Sequence, residues 1–167
     1  MNKLKLLEAI KGGLKGELES INNYKRALEN ADESSVVAFL EGRVEEEKLH
    51  FNYLLEYYNQ INGCDSGEGF DLDVPELPAQ ESPIISAEFT KRIAEKQILF
   101  SCFSTAALLE KNAMDFYRAC ANDSEIPELK DFFEMMTDWE GIHYQDVLNI
   151  QKEAEGFFWE VNQFAPF

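Results

Sequence analysis

The sequence predicts an all-α protein: a four-helix bundle made of two pseudo-repeated helical hairpins joined by a long crossover. Three observations lead there. Four long segments carry apolar residues at helical spacing, in two pairs each split by a short polar turn. A single stretch rich in proline, glycine and acidic residues separates the pairs. Chemically distinctive residues of the first pair then recur in the second at a constant offset.

The first helix is expected over about residues 3 to 30, with Leu14, Leu18, Ile21, Ala27 and Leu28 in helical register. Gly12, Gly13 and Gly16 weaken its first half, and the sequence offers no reason for all three. Asn30-Ala31-Asp32-Glu33-Ser34 supplies turn and N-cap chemistry. A second helix follows from about 34 to 61, through Val37, Leu40, Val44 and Leu54, and stops at Asn62-Gly63. The first hairpin thus covers about 3–62. The crossover, about 63–96, holds three prolines and three glycines, with a short helix starting at Ser86. A third long helix is expected over about 97–121 and a fourth from Pro127, in its first turn, to about 155. They form the second hairpin, about 97–156, and an aromatic tail, 157–167, closes this single domain.

At 167 residues the chain is long enough for one sizeable core, and 45% hydrophobic content is that of a globular protein. A net charge of −17 excludes nucleic-acid partners and anionic membrane surfaces, which require clustered Lys and Arg. Cys64, Cys102 and Cys120 are odd in number and form no CxxC pair, which argues for a reducing compartment and against a disulfide framework or zinc ribbon. Cys102 and Cys120 read as small core residues. Asp65, Glu68, Asp71 and Asp73 lack the order of a calcium loop and read as solvated. The N-terminal segment is interrupted by Lys5 and Glu8, so no signal peptide is expected, no segment is apolar enough to span a membrane, and a cytoplasmic location follows by default.

The chain's two histidines each lie three residues after a glutamate: Glu47 and His50, Glu140 and His143. Residues three apart share a helix face, so each pair can grip one object. Glu17 is followed after seven residues by Tyr24, and Glu110 after seven by Tyr117. All four correspondences (Glu17 with Glu110, Tyr24 with Tyr117, Glu47 with Glu140, His50 with His143) have the same offset of 93 residues. Phe39 and Phe132, and Leu55 and Leu148, keep it too. In an antiparallel hairpin, residues equidistant from the turn lie level. Glu17 and Glu47 are centred on Asp32, and Glu110 and Glu140 on Glu125, both in turns. Each hairpin therefore presents a Glu level with a Glu-x-x-His, about 22 Å from its turn. Face-to-face packing brings four glutamates and two histidines together in mid-bundle. Four carboxylates in a low-dielectric interior need counter-charge or protons. Two divalent cations supply it, and two Glu plus two Glu-x-x-His is the ligand set of di-iron and di-manganese carboxylate bundles. Oxygen and nitrogen donors suit iron, manganese or a mixed pair.

The twice-repeated E-x6-Y and E-x2-H pattern, over roughly residues 10 to 155, resembles the ferritin-like superfamily, and most closely its rubrerythrin-related di-iron branch. The resemblance implies Glu17, Glu47, Glu110 and Glu140 as carboxylate ligands, with Glu47 and Glu140 bridging two irons and His50 and His143 each capping one. It implies that Tyr24 and Tyr117 hydrogen-bond beside the ligands. It also implies reduction of hydrogen peroxide or dioxygen, a ferroxidase being the alternative. There are departures: no rubredoxin-like CxxC pairs are present, so an external donor such as rubredoxin or a flavoprotein is expected. Ala107 and Ala113 flank Glu110 where the family carries a further glutamate, which leaves a symmetric six-residue set. A metal-free helical interaction module is the third reading. Phe157, Phe158, Trp159, Phe164 and Phe167 would pack on their own bundle or on the partner in a homodimer.

Overall fold

A computed structural model describes residues 3–63 and 85–161, which form five α-helices and no strand among the described residues. The helices are α1 (Lys3–Leu28), α2 (Ser34–Gly63), α3 (Ala87–Glu95), α4 (Gln97–Asp123) and α5 (Pro127–Val161). Cys64, the acidic residues Asp65 to Asp73 and the aromatics Phe164 and Phe167 lie outside the described residues. No helix of the described residues is long and apolar enough to cross a membrane.

Each long helix buries a stripe with alternating three- and four-residue steps. In α2 it runs Val36, Leu40, Arg43, Glu47, His50, Leu54, Tyr57, Ile61. The stripe is apolar at both ends and carries its titratable residues in the middle, so the spacing that builds a core also places the site within it. One cluster, with Val36, Leu40, Phe103, Val147 and Ile150, fills the end near the α1–α2 turn. A second, with Leu6, Ile10, Leu54, Phe132 and Phe133, fills the end near the α4–α5 turn.

The α1–α2 turn is capped by Glu33, whose carboxylate accepts the backbone N–H groups of Ser35 at 3.0 Å and Val36 at 2.9 Å. Ser86 caps α3, accepting from the Phe89 N–H at 3.1 Å. Lys96, in extended conformation, breaks α3 from α4, and its ammonium reaches Asp32 at 2.7 Å and the Asn30 carbonyl at 3.0 Å, tying this joint to the first turn. Helix α3 packs on α5 and α4 and inserts Phe89 and Ile93 into the first cluster.

Backbone packing joins α1 to α2, α4 to α5 and α1 to α4. Tyr24 of α1 meets Glu110 of α4 while Tyr117 meets Glu17, so α1 and α4 run antiparallel. Helices α2 and α5 also run antiparallel and meet through long side chains at seven-residue steps. These are Arg43 with Asp146 at 2.6 Å, His50 with Trp139 at 4.3 Å between ring centroids, and Tyr57 with Phe132 at 4.1 Å.

Two expectations need correction. The last helix does not end near 155 but runs to Val161, so the segment expected as the start of a tail is helical. The reason is packing: Phe158 stacks on Phe100 at 4.4 Å, and Phe157 and Phe158 lie against the chain's own first cluster. Leu18, placed on the helical face by its spacing, is half exposed at 49%, beside buried Glu17. Cys102 and Cys120 are free and buried, and burial pushes the Cys120 thiol up to about 11.

Candidate metal centre

Glu17, Glu47, His50, Glu110, Glu140 and His143 all lie inside the protein, none more than 2% exposed. Glu17 comes from α1, Glu47 and His50 from α2, Glu110 from α4, and Glu140 and His143 from α5. One side-chain donor atom from each of Glu47, His50, Glu140 and His143 lies within 4.8 Å of the others.

The distances repeat across the two halves. His50 Nδ1 is 3.5 Å from Glu17, 3.7 Å from Glu47 and 2.9 Å from Glu140. His143 Nδ1 is 3.9 Å from Glu110, 3.7 Å from Glu140 and 2.9 Å from Glu47. Glu47 and Glu140 each turn one oxygen toward each histidine, whereas Glu17 and Glu110 sit at opposite ends. The imidazole rings are nearly parallel, with centroids 5.4 Å apart.

These groups crowd one another without pairing. Both oxygens of Glu47 and Glu140, Oε2 of Glu110 and both nitrogens of each histidine lack a hydrogen-bond partner, although two N–O approaches are 2.9 Å. The approaches are short but not aligned along N–H directions. Orphaned polar atoms at such density are costly in a protein interior, where buried polar side chains are ordinarily satisfied. Donor atoms that converge on shared space rather than on each other fit a cation between them. The donor set, four carboxylates and two imidazoles, suits iron or manganese.

The outer oxygens are held. Tyr24 donates its hydroxyl proton to Glu110 Oε1, and Tyr117 donates to Glu17 Oε1, each across the hairpin boundary. Both tyrosines are 1% exposed. Burial, then the adjacent carboxylate charge, holds both phenols well above their ordinary pKa, so they remain donors.

Without a cation, protons balance the charge. Burial pushes Glu17 up to about 8 and Glu140 to about 7, and holds Glu110 well above the carboxylate range. Glu47 behaves oppositely: burial would raise it, but His143 and His50 outweigh that and hold it low. Burial alone would lower both histidines, yet Glu140 holds His50 well up, and Glu46 and Glu47 raise His143. The arrangement can bind a cation by exchanging these protons for it.

Four neighbours escaped the sequence reading. Arg43, buried, pairs with Glu46 at 2.7 Å and Asp146 at 2.6 Å, and Glu46 Oε2 stands 3.4 Å from His143 Nε2. Trp139 packs edge-on to His50. A signal existed: Arg43 is one turn before Glu47 and Asp146 three residues after His143, so both lie on the ligand stripes. They went unseen because neither belongs to the repeat. Among known proteins, no family model, no curated sequence and no solved structure matches this chain.

Proposed function

We propose that the four long helices form a ferritin-like bundle around a di-iron centre that reduces hydrogen peroxide or dioxygen with electrons from an external donor. One observation carries this reading: the six residues shared by the repeat converge in the buried interior with most of their polar atoms orphaned. Glu17, Glu47 and His50, with Glu110, Glu140 and His143, would hold two ions, Glu47 and Glu140 being the carboxylates that each turn an oxygen toward both histidines. When bound, two ferrous ions supply one electron each, which with two protons reduce one peroxide to two waters.

The chain's own residues set the conditions for that chemistry. Tyr24 and Tyr117 hold the terminal carboxylates Glu110 and Glu17 in orientation, each through a donated proton. Clusters of Leu, Ile, Val and Phe close the centre at both ends along the helices. In this reading the reducing equivalents come from an electron donor such as rubredoxin or a flavoprotein.

A ferroxidase, for which Fe(II) is the substrate, is the second reading. It is favoured by a cleft that runs from the surface to Glu17. Steady-state turnover separates the two. Iron-loaded protein supplied with peroxide and reduced rubredoxin or a reduced flavoprotein should oxidise the donor through many cycles with its iron retained. A single oxidation followed by release of Fe(III), with every donor, would replace the peroxidase reading by the ferroxidase.

A further inference from the structure

The ligands obey the internal repeat; their surroundings do not. Glu46 stands 3.4 Å behind His143 Nε2, and its carboxylate takes Arg43 Nη1 at 2.7 Å, while Arg43 Nη2 takes Asp146 at 2.6 Å. The residue 93 positions after Glu46 is Trp139. It presents an indole to the His50 ring, 4.3 Å away and nearly perpendicular. One imidazole is thus backed by a partly buried carboxylate that is ion-paired to buried Arg43, and the other by an aromatic ring. A carboxylate placed behind a ligating histidine can accept the ring's second N–H. That hydrogen bond, which His143 Nε2 does not make in the metal-free geometry, fixes the ring and strengthens it as a ligand.

The second break lies on α1. Gly12 and Gly13 have Thr105 and Ala106 as their counterparts in α4. A Cβ at Gly13 would come within 3.1 Å of the Tyr117 hydroxyl, so the glycine lets Tyr117 lie against α1, where it reaches Glu17. Gly12, Gly13 and Gly16, facing Ala113 and Phe116 of α4, line a cleft of about 240 Å³ whose walls include Glu17 and Tyr117. Both breaks bear on the same half: the cleft reaches Glu17, the terminal carboxylate of His50, and among the described residues His50 Nε2 has no carboxylate behind it.

We propose that the two metal positions are inequivalent. The Glu17–His50 position exchanges its ion with solvent through the glycine-lined cleft, and the Glu110–His143 position, backed by Glu46, Arg43 and Asp146, retains its ion. This rests on the two-metal reading above. It deepens that reading by assigning a role to the three glycines and to the buried arginine, neither of which the ligand set requires.

The test is cobalt(II) binding, which needs no turnover. Folded metal-free protein is titrated with Co(II) to saturation, and removal by excess chelator is followed through the visible cobalt absorption. The wild type should take two ions and lose them in two phases separated by about tenfold or more in rate. A Cβ at Gly16 meets nothing within 4 Å, so Gly16→Leu fills the cleft without displacing backbone. Gly16→Leu, and Ala113→Leu from the opposite wall, should slow the fast phase by about tenfold while two ions still bind. Glu46→Gln should accelerate the slow phase alone, by about 10-fold to 100-fold. Gly42→Leu, at an exposed position with nothing within 4 Å, should change neither phase. A single phase for both ions, or a fast phase untouched by both cleft variants, would overturn the asymmetry and leave the two-metal reading intact. No stoichiometric cobalt on folded wild type would overturn both.

Discussion

Tyr24 and Tyr117 each grip the carboxylate of the opposite hairpin, so the outermost carboxylates of the buried cluster are held by cross-links between the two halves. Tyr117→Phe removes the only hydroxyl on Glu17 Oε1 among the described hydrogen bonds. The variant should still bind two ions, but chelator competition should show affinity for one of them reduced by about 10-fold to 100-fold. Unchanged affinity would mean that the tyrosines serve packing alone. At this scale the sequence was informative where chemistry is repeated. Glu47 and His50 recur as Glu140 and His143, and Glu17 and Tyr24 as Glu110 and Tyr117, so all eight could be read from register. Arg43, Glu46, Asp146 and Trp139 have no repeated partner and became visible only once α2 and α5 were set side by side. Gly13 is similar: its need for a missing side chain comes from Tyr117, more than a hundred residues away in sequence.

Helix boundaries followed from local signals where those signals are local. Ser86 caps α3 and Pro127 opens α5, each a property of the residue itself. The end of α5 was not legible: the expected stop lies near 155, and the helix continues past Gly156 on the strength of long-range packing. The Phe158 ring stacks on Phe100 of α4, and Phe157 joins the same cluster, so tertiary contact overrides the local preference. The Phe158 ring is partly rather than fully buried, so Phe158→Ala should cost about 1–2 kcal/mol in urea denaturation, below the range for a fully buried Phe. Val161→Ala, at an exposed site near the same end, should fall within about 0.5 kcal/mol of wild type. Equal effects for the two would show that the last turns of α5 are not anchored by the stack.

For the molecule as a whole, the central cluster sets stability against a bound ion in opposite ways as pH changes. Glu17, with its pKa pushed up to about 8 from an ordinary 4.5, and Glu140, pushed to about 7, keep protons in the metal-free fold that the unfolded chain has released. Their stabilising contribution is complete below the ordinary carboxylate pKa and is lost as pH rises through 7 and 8. The raised histidines act in the same direction above their ordinary 6.5. Glu47, held low, has the opposite sign, but its window lies below 4.5. The metal-free protein should therefore melt at a lower temperature at about pH 8 than at about pH 5.5. Metal loading reverses this, since cations compete with those same protons and bind more tightly as they leave. Calorimetry at both pH values should show a wider gap in Tm between loaded and metal-free protein at the higher pH. A constant gap would mean that metal binding displaces no protons from the carboxylates and histidines.

The claim beneath all of this is that six buried residues hold two ions, and metal content measures it directly. Protein reconstituted anaerobically with Fe(II), freed of loose metal and analysed for iron per chain, should carry close to two equivalents, and Glu47→Ala combined with His50→Ala should lose them together with the rise in Tm that loading gives wild type. Wild type that retains no stoichiometric metal, or a double variant that keeps both ions, would contradict the account and leave the orphaned carboxylates and imidazoles of the core to be explained another way.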